Sequence, residues 1–166
     1  ESLGTLAGKR LAFIGDGNNV CHSLMLGAAS VGMSVTVVTP DGRGPSDEVV
    51  HAAKERGAAS GASVRVACEI DAVRGHDVVY TDTWVSMGDE SAKKAWFEPF
   101  RVDETLMSIA GDGIDGDPIF MHCLPAARGQ EVSAGVIDGP MSVVYDQAEN
   151  RMHAQNALML ALLGRS

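Results

Sequence analysis

Short apolar runs alternate along the chain with segments in which apolar residues recur every three or four positions. Residues 9–17 form an apolar run and residues 18–32 have helical spacing, and the same order returns in residues 34–42 and 46–61. Buried strands of parallel sheets read as continuous apolar runs, whereas the apolar face of a helix repeats about every 3.6 residues. The start of the chain therefore predicts two strand–helix units.

The rest of the chain continues this alternation. Further strands are predicted at residues 62–69, 76–82 and 118–125, with a short sixth at 142–147, and helices at 91–100, 102–111 and 148–166. Alternating strands and helices predict an α/β fold with a doubly wound, mainly parallel sheet flanked by helices, which is Rossmann-like. We expect residues 1–166 to form a single domain.

Composition limits the classes of binding partner and the cellular compartment that we expect. The 13 basic and 22 acidic residues give a net charge of -9, which repels nucleic acids and anionic membranes. No apolar run approaches the roughly 18 residues that a membrane span needs. Three cysteines without a C-x-x-C pair indicate neither a disulfide framework nor a zinc site, and they favour a cytoplasmic, reducing location.

A glycine-rich turn, "GDGNN", joins the first predicted strand to the first predicted helix. A dinucleotide fingerprint requires G-x-G-x-x-G, but Val20 stands at the third glycine position, which disfavours nucleotide binding. Two readings of the asparagines remain. Asn18 caps the helix, or Asn18 and Asn19 offer side-chain amides to the charged backbone of an amino acid.

The stretch "TDTWVSMGDE" follows the fourth predicted strand, where parallel sheets bind ligands. Asp82 can pair with an ammonium group, and the backbone N–H groups around Ser86 and Met87 can receive a carboxylate. This arrangement would hold an α-amino acid. In the alternative reading Asp82 is a helix cap and Trp84 belongs to the core.

The motif "HCLPA" ends the fifth predicted strand. Neighbouring residues on a strand point to opposite faces, so His122 and Cys123 are not expected to pair as base and nucleophile. The alternative is a buried, structural cysteine. Farther along, Arg151 lies near the predicted start of the last helix, where a cation is unfavourable unless it serves an anion. His153 has no second ligand at a suitable spacing, so no metal site is predicted.

Taken in order, "FIGDGNNVCHSLM", "TDTWVSMGDE", "HCLPA" and "AENRMHAQ" resemble the ornithine carbamoyltransferases. The pair D-T-W-x-S-M-G and H-C-L-P is specific for that family, and the S-M-G loop resembles the ornithine enzyme more than the aspartate enzyme. Related enzymes that use acetylornithine or putrescine are the alternatives. The resemblance implies that Asn19 and Asp82 bind the α-amino and carboxylate end of ornithine, with Ser86 and Met87 assisting.

The resemblance also implies the reaction and the second substrate. Cys123 and Leu124 would lie beside the carbamoyl group and the reacting amine, and Arg151 would contact carbamoyl phosphate. Attack of the ornithine side-chain amine on the carbamoyl carbon would give citrulline and phosphate, as in arginine biosynthesis, without a cofactor or metal. Cys123 is the candidate to accept the proton of the amine, or to lie beside the amine as a thiolate.

The family's carbamoyl-phosphate-binding domain supplies a Ser-x-Arg-Thr loop and a His-Pro-x-Gln segment, and neither pattern occurs in this sequence. We therefore expect this chain to be the ornithine-binding domain of a larger, trimer-based homo-oligomer, and to be inactive alone. The alternative is a non-catalytic amino-acid-binding or regulatory module. The segment 157–163 is apolar on every helical face, which predicts a surface that another domain covers.

Overall fold

The computed structural model describes residues 2–84 and 94–164. Within them, parallel strands form one five-stranded sheet in the order β3-β2-β1-β4-β5. The strands are β1 (Arg10–Ile14), β2 (Ser34–Val38), β3 (Val64–Ala67), β4 (Val78–Thr81) and β5 (Ile119–His122). The predicted doubly wound, parallel α/β fold is confirmed.

Helices cover both faces of the sheet. They are α1 (Asn19–Ser30), α2 (Asp47–Ser60), α3 (Lys94–Phe97), α4 (Glu104–Gly111), α5 (Ala134–Ile137) and α6 (Val144–Leu162), with 3-10 turns at Ile70–Val73 and Glu98–Phe100. The cap reading of Asn18 is confirmed, because its side chain accepts backbone N–H groups at the start of α1, and Ser46 caps α2 in the same way.

Strand alternation divides the core into two layers. In β1, Leu11 and Phe13 face the layer that α1 and α2 cover, whereas Ala12 and Ile14 face the layer that α4 and α5 cover. All four side chains are buried. Because successive side chains point to opposite faces, a central strand that is apolar at every position must be covered on both sides.

The predicted sixth strand is wrong. Ser142 forms a single bridge with Phe120 of β5, and α6 already begins at Val144. The run of β-branched residues favours a strand by propensity, but it pairs with β5 only briefly, through a 3.0 Å hydrogen bond from Val143 N to Phe120 O. Val144 is buried where the helix begins. Packing of that side chain therefore outweighs the strand preference.

The second half of α6 extends away from the sheet. Every residue of 148–164 is exposed, including Leu158 at 60% and Leu162 at 79%. The expectation of an uncovered apolar helix end is therefore confirmed. None of the helices in the described ranges combines the length and the hydropathy of a membrane span.

Candidate functional site

The candidate site lies at the carboxyl ends of three neighbouring strands. β1 lies between β2 and β4, so the chain runs outward from it in both directions, and ligands bind at such switch points in open α/β sheets. The strands β1, β4 and β5 are followed by the turn at Gly15–Asn18, by Asp82 and by Cys123. The fold therefore brings together polar residues that are far apart in the sequence.

Asp82 is the centre of this group. Its Oδ1 accepts hydrogen bonds from Thr83 N at 2.7 Å and from Cys123 Sγ at 2.9 Å, and its Oδ2 accepts one from Asn18 Nδ2 at 2.9 Å. A carboxylate has about four acceptor positions, so Oδ2 retains acceptor capacity for a ligand. Asp82 is half-buried.

The oxygen and the nitrogen of the Asn18 side-chain amide have different roles. The oxygen caps α1 by accepting from Val20 N at 3.0 Å and Cys21 N at 3.1 Å, while the nitrogen donates to Asp82. Sequence reasoning found the cap and missed the second bond, which joins residues 64 positions apart. Asn19 is the exposed first residue of α1, at the same edge, so its amide faces solvent.

The turn after β1 is in close contact with the loop after β2. A Cβ atom on Gly17 would lie 2.2 Å from the backbone of Gly44 and Pro45, so only glycine fits. Gly17 N donates to Arg43 O at 2.8 Å, and the guanidinium of Arg43 forms a 2.6 Å ion pair with Asp16. These contacts fix the turn that carries Asn18.

Trp84 belongs to the core. It is 5% exposed and its ring stacks on Phe97 with centroids 6.1 Å apart, which agrees with the core reading of this residue. The predicted binding residues Ser86 and Met87 lie outside the described residues.

Cys123 is a protonated thiol in this site. Burial, and then the hydrogen bond to Asp82, raise the pKa of Cys123 to about 12. At neutral pH the sulfur therefore keeps its proton and donates it to Asp82. The role of Cys123 as a proton acceptor stays a prediction, and it requires that the thiol first lose its own proton.

His122 points to the other face of the sheet, as alternation predicts. It is 1% exposed, and its Nδ1 accepts a hydrogen bond from Leu124 N at 2.8 Å. Its Nε2 lies 3.5 Å from Oε1 of buried Glu131, but without hydrogen-bond geometry. Glu131 in turn accepts from Ala127 N at 2.5 Å. The side chains of His122 and Glu131 therefore accept backbone N–H groups of the H-C-L-P turn and of the residues that follow it. His122 does not activate Cys123.

Arg151 faces a cavity beside the H-C-L-P turn. Because α6 begins at Val144, Arg151 is the eighth residue of the helix, and the expectation that it lies near the helix start is wrong. The position of Arg151 on the helix is explained by the cavity that it lines. The cavity measures about 750 Å³ and is lined by His122, Cys123, Leu124, Pro125, Gln147, Ala148 and Arg151. Three predicted residues, Cys123, Leu124 and Arg151, thus share one cavity.

Sequence reasoning missed two further polar residues of the site. Tyr80 is buried in β4 and was read as part of an apolar strand, and Gln147 lay in the segment predicted as a strand. Gln147 Nε2 donates to the Tyr80 hydroxyl at 2.9 Å. The spacing of Val144, Gln147 and Arg151 would have indicated one helical face, had the helix start been recognised. In the described ranges, no cluster of His, Cys, Asp and Glu is suited to a metal ion.

Comparison with known proteins gives a consistent result. The family model "Aspartate/ornithine carbamoyltransferase, Asp/Orn binding domain" matches residues 7–162. The ornithine carbamoyltransferase of Methanobrevibacter smithii is 50% identical over 98% of this chain and 54% of its own length, and that of Oceanobacillus iheyensis is 52% identical over 98% and 51%. The chain thus spans about half the length of the curated relatives it matches.

Solved structures agree with the sequence comparison. The ornithine carbamoyltransferase of Pyrococcus furiosus superposes with a TM-score of 0.89 at 45% identity, over 96% of this chain and 51% of its own. An acetylornithine transcarbamylase complexed with acetylcitrulline superposes with a TM-score of 0.83 at 30% identity, over 97% and 52%.

Proposed function

The chain belongs to the aspartate/ornithine carbamoyltransferase family, and from that membership we propose that it is the ornithine-binding part of an ornithine carbamoyltransferase. The complete enzyme transfers the carbamoyl group of carbamoyl phosphate to the side-chain amine of ornithine, giving citrulline and phosphate. We place the reaction in arginine biosynthesis in the cytoplasm. The observation that carries the proposal is the position of Asp82 at the switch point, within one group with Asn18 and Cys123.

Asp82 binds the α-ammonium group of ornithine in this proposal. Its Oδ2 has acceptor capacity beyond the bond from Asn18, and a charge-assisted hydrogen bond to an ammonium contributes about 1.5 to 3 kcal/mol. The exposed amide of Asn19 lies at the same sheet edge, where it can bind the carboxylate. Ser86 and Met87 complete the carboxylate contacts.

Cys123, Leu124 and Arg151 form the carbamoyl side of the proposed site, since they line one cavity. The attacking amine has a lysine-like pKa of about 10.4, so its deprotonation at pH 7 costs roughly 4.6 kcal/mol. Burial and the hydrogen bond to Asp82 raise the pKa of Cys123, so in this proposal the thiol donates to Asp82 while no substrate is bound. Arg151 supplies positive charge for the phosphate group.

The rest of the phosphate site belongs, in this proposal, to a carbamoyl-phosphate-binding domain of the complete, trimer-based enzyme. Phosphate recognition needs several donors, and among the described residues lining this cavity Arg151 is the cation. The curated relatives are about twice as long as this chain, which leaves room for a second domain. We propose residues 1–166 as the single ornithine-binding domain.

Ornithine is favoured over its close analogues. The curated relatives that match this chain at 50% and 52% identity bear the ornithine carbamoyltransferase name. Acetylation or loss of the α-amino group would also remove the cation that Asp82 binds, and an unpaired, half-buried carboxylate would oppose binding. Putrescine lacks the carboxylate for which Asn19 is proposed.

Isothermal titration calorimetry tests the proposal directly. Ornithine, acetylornithine and putrescine are titrated into the protein with carbamoyl phosphate and an added carbamoyl-phosphate-binding domain, and citrulline formation is assayed in the same mixture. We expect ornithine alone to bind tightly and to be consumed. Ornithine binding without turnover in that mixture would instead support a non-catalytic amino-acid-binding module.

A further inference from the structure

Arg43 contacts both sides of the candidate site. It lies in the loop after β2, whereas Asn18 follows β1 and Asp82 follows β4, and β1 is the strand between β2 and β4. The Arg43 side chain reaches Asp16 in the turn after β1 and Phe97 in α3. Arg43 therefore spans the carboxyl end of the central strand, where Asn18 and Asp82 meet.

On one side, Arg43 holds the turn that carries Asn18. Its guanidinium pairs with Asp16 at 2.6 Å, and its backbone oxygen accepts a hydrogen bond from Gly17 N at 2.8 Å. Asn18 N in turn donates to Asp16 O at 2.7 Å. The side chains of Arg43 and Asp16 are only 22% and 21% exposed, so water screens this ion pair less than an exposed one. Arg43 thus fixes the residues immediately before Asn18.

On the other side, Arg43 packs against an aromatic pair that follows Asp82. Its guanidinium carbon lies 5.8 Å from the centroid of the Phe97 ring, within the distance of a cation–π contact. Phe97 is fully buried and stacks on Trp84, which lies two residues after Asp82. A planar guanidinium can cover an aromatic ring while one of its N–H groups binds a carboxylate, so an arginine can make both contacts at once.

The charge of Arg43 is already compensated within the protein. Asp16 accepts one N–H group of the guanidinium, and Arg43 Nε is shielded from solvent without a hydrogen-bond partner among the described residues. Arg151, by contrast, is exposed and lines the cavity beside Cys123. Arg43 is therefore not placed to bind a substrate anion, and its effect on the site passes through its contacts with the protein.

The contacts of Arg43 and of its neighbours form a closed contact ring. The contact ring runs through Asn18, Asp16, Arg43, Phe97, Trp84, Thr83 and Asp82. The hydrogen bond from Asn18 Nδ2 to Asp82 Oδ2, at 2.9 Å, closes it. An increase of about 0.7 Å in that distance would break the bond, so a small shift of the turn after β1 is enough to open the contact ring.

We propose that Arg43 is a positioning residue that completes the contact ring and thereby fixes the distance between Asn18 and Asp82. Without the guanidinium, the largely buried carboxylate of Asp16 loses its counter-charge and is driven towards water, which shifts the turn that carries Asn18. This role depends only on the residues of the contact ring. Its use in binding the ammonium of ornithine rests on the proposed function.

Hydrogen exchange of the complete enzyme without substrate, followed by mass spectrometry, tests the contact ring. The amides of Val20 and Cys21 donate to Asn18 Oδ1, so a shift of the turn exposes them. Arg43→Met keeps the length of the side chain and removes its charge. We expect a peptide that contains both amides to exchange about threefold to tenfold faster in this variant, as for a weakened helix cap. The peptide at the start of α4, where the Leu106 amide is capped separately, is the internal standard.

Steady-state kinetics of the complete enzyme separate positioning from a general loss of stability. Arg43→Met should raise the KM for ornithine about threefold to tenfold and leave kcat and the KM for carbamoyl phosphate unchanged, because only the ammonium contact is displaced. Arg43→Lys keeps a cation beside Asp16 and should recover most of the wild-type KM for ornithine. Arg56→Met removes the same group from an exposed position on α2, and it should change neither KM.

The double variant Arg43→Met with Asp16→Asn tests whether the two residues act together. Its exchange at Val20 and Cys21 should increase less than the product of the two single effects. Single effects that multiply, wild-type exchange in Arg43→Met, or an equal acceleration at Leu106 would overturn the proposal. Thermal melting identifies variants that have not folded, and if Arg43→Met is one of them, Asp16→Asn alone decides the outcome.

The exchange measurement is independent of the proposed function, because it contains neither ornithine nor carbamoyl phosphate. If the wild type does not bind ornithine but Arg43→Met still accelerates exchange, the proposed function is wrong and the positioning role of Arg43 stands. If the wild type binds ornithine and the KM of Arg43→Met is unchanged despite faster exchange, the positioning role is wrong.

Discussion

Asp82 carries a charge and accepts hydrogen bonds from neighbouring donors, so a substitution at this residue can remove the charge while keeping the shape. Asp82→Asn keeps the shape but removes the counter-charge of the bound ammonium. Losing a charge-assisted hydrogen bond of about 1.5 to 3 kcal/mol corresponds to roughly tenfold to hundredfold weaker ornithine binding. Calorimetry on the complete enzyme measures it, with carbamoyl phosphate affinity expected to stay the same. Asp41→Asn, a charge removal in an exposed turn, is the matched control. Unchanged ornithine affinity would contradict the role of Asp82.

Substitutions at Cys123 can distinguish a role as hydrogen-bond donor from a role as proton acceptor. Cys123→Ser retains a hydroxyl that can donate to Asp82, whereas Cys123→Ala removes this donor and leaves Asp82 Oδ1 with the hydrogen bonds from Thr83. We expect the serine variant to keep most of the kcat/KM for ornithine, and the alanine variant to lose about tenfold, the equivalent of one hydrogen bond to a charged group. Steady-state kinetics of both variants check this. Equal, large losses in kcat for both would show instead that the sulfur itself takes part in proton transfer.

At the scale of elements, the turn after β1 and the helix after it respond oppositely to the same substitution. Gly17→Ala places a methyl group against the backbone of the neighbouring loop, and we expect a loss of about 1 to 3 kcal/mol in the free energy of unfolding. Gly27→Ala adds a methyl group in open space inside α1, where about 0.4 to 1 kcal/mol should be gained. Urea unfolding measures both changes. A stabilised Gly17→Ala variant would mean that the two loops do not touch.

Sequence patterns predicted the elements whose apolar spacing is strong. The strands β1, β2 and β4 are continuous apolar runs, and they were placed correctly together with the caps of α1 and α2. The start of α6 was missed because Val143 and Val144 favour a strand and the next half-buried position of the helix, Gln147, is polar and so does not register in hydrophobic periodicity. The short helix α5 was also missed.

The site was only partly accessible from sequence for a related reason. A polar residue at the end of a strand is visible in the sequence, and this identified Asp82 and Cys123. The bond from Asn18 to Asp82 and the bond from Gln147 to Tyr80 depend on which strands are neighbours, and each joins residues more than 60 positions apart. No local pattern encodes that pairing.

At the scale of the whole molecule, the exposed end of α6 predicts self-association. Leu158, Leu160, Leu162 and Leu163 are each at least 51% exposed, and an apolar patch of several hundred Å² marks an interface or an aggregation site. We expect light scattering of the 166-residue chain to report oligomers that disappear in Leu158→Glu with Leu162→Glu. The control Ala58→Glu with Ala59→Glu adds the same two negative charges at exposed positions of α2. A monodisperse wild-type monomer that forms citrulline unaided would contradict this prediction and the incomplete phosphate site.

The strand order also determines the order in which the strands can pair during translation. Of the five strands, β1 is central and is synthesised before the others, so β2 and β3 can add to one side of it while the other side waits for β4 and β5. Translation proceeds at about 5 to 20 residues per second, and the parallel partners are separated by long stretches of chain. Asn18, Asp82, Cys123 and Arg151 span most of the sequence. The group of Asn18, Asp82 and Cys123 therefore cannot form in a nascent chain until β5 and the residue after it have been synthesised.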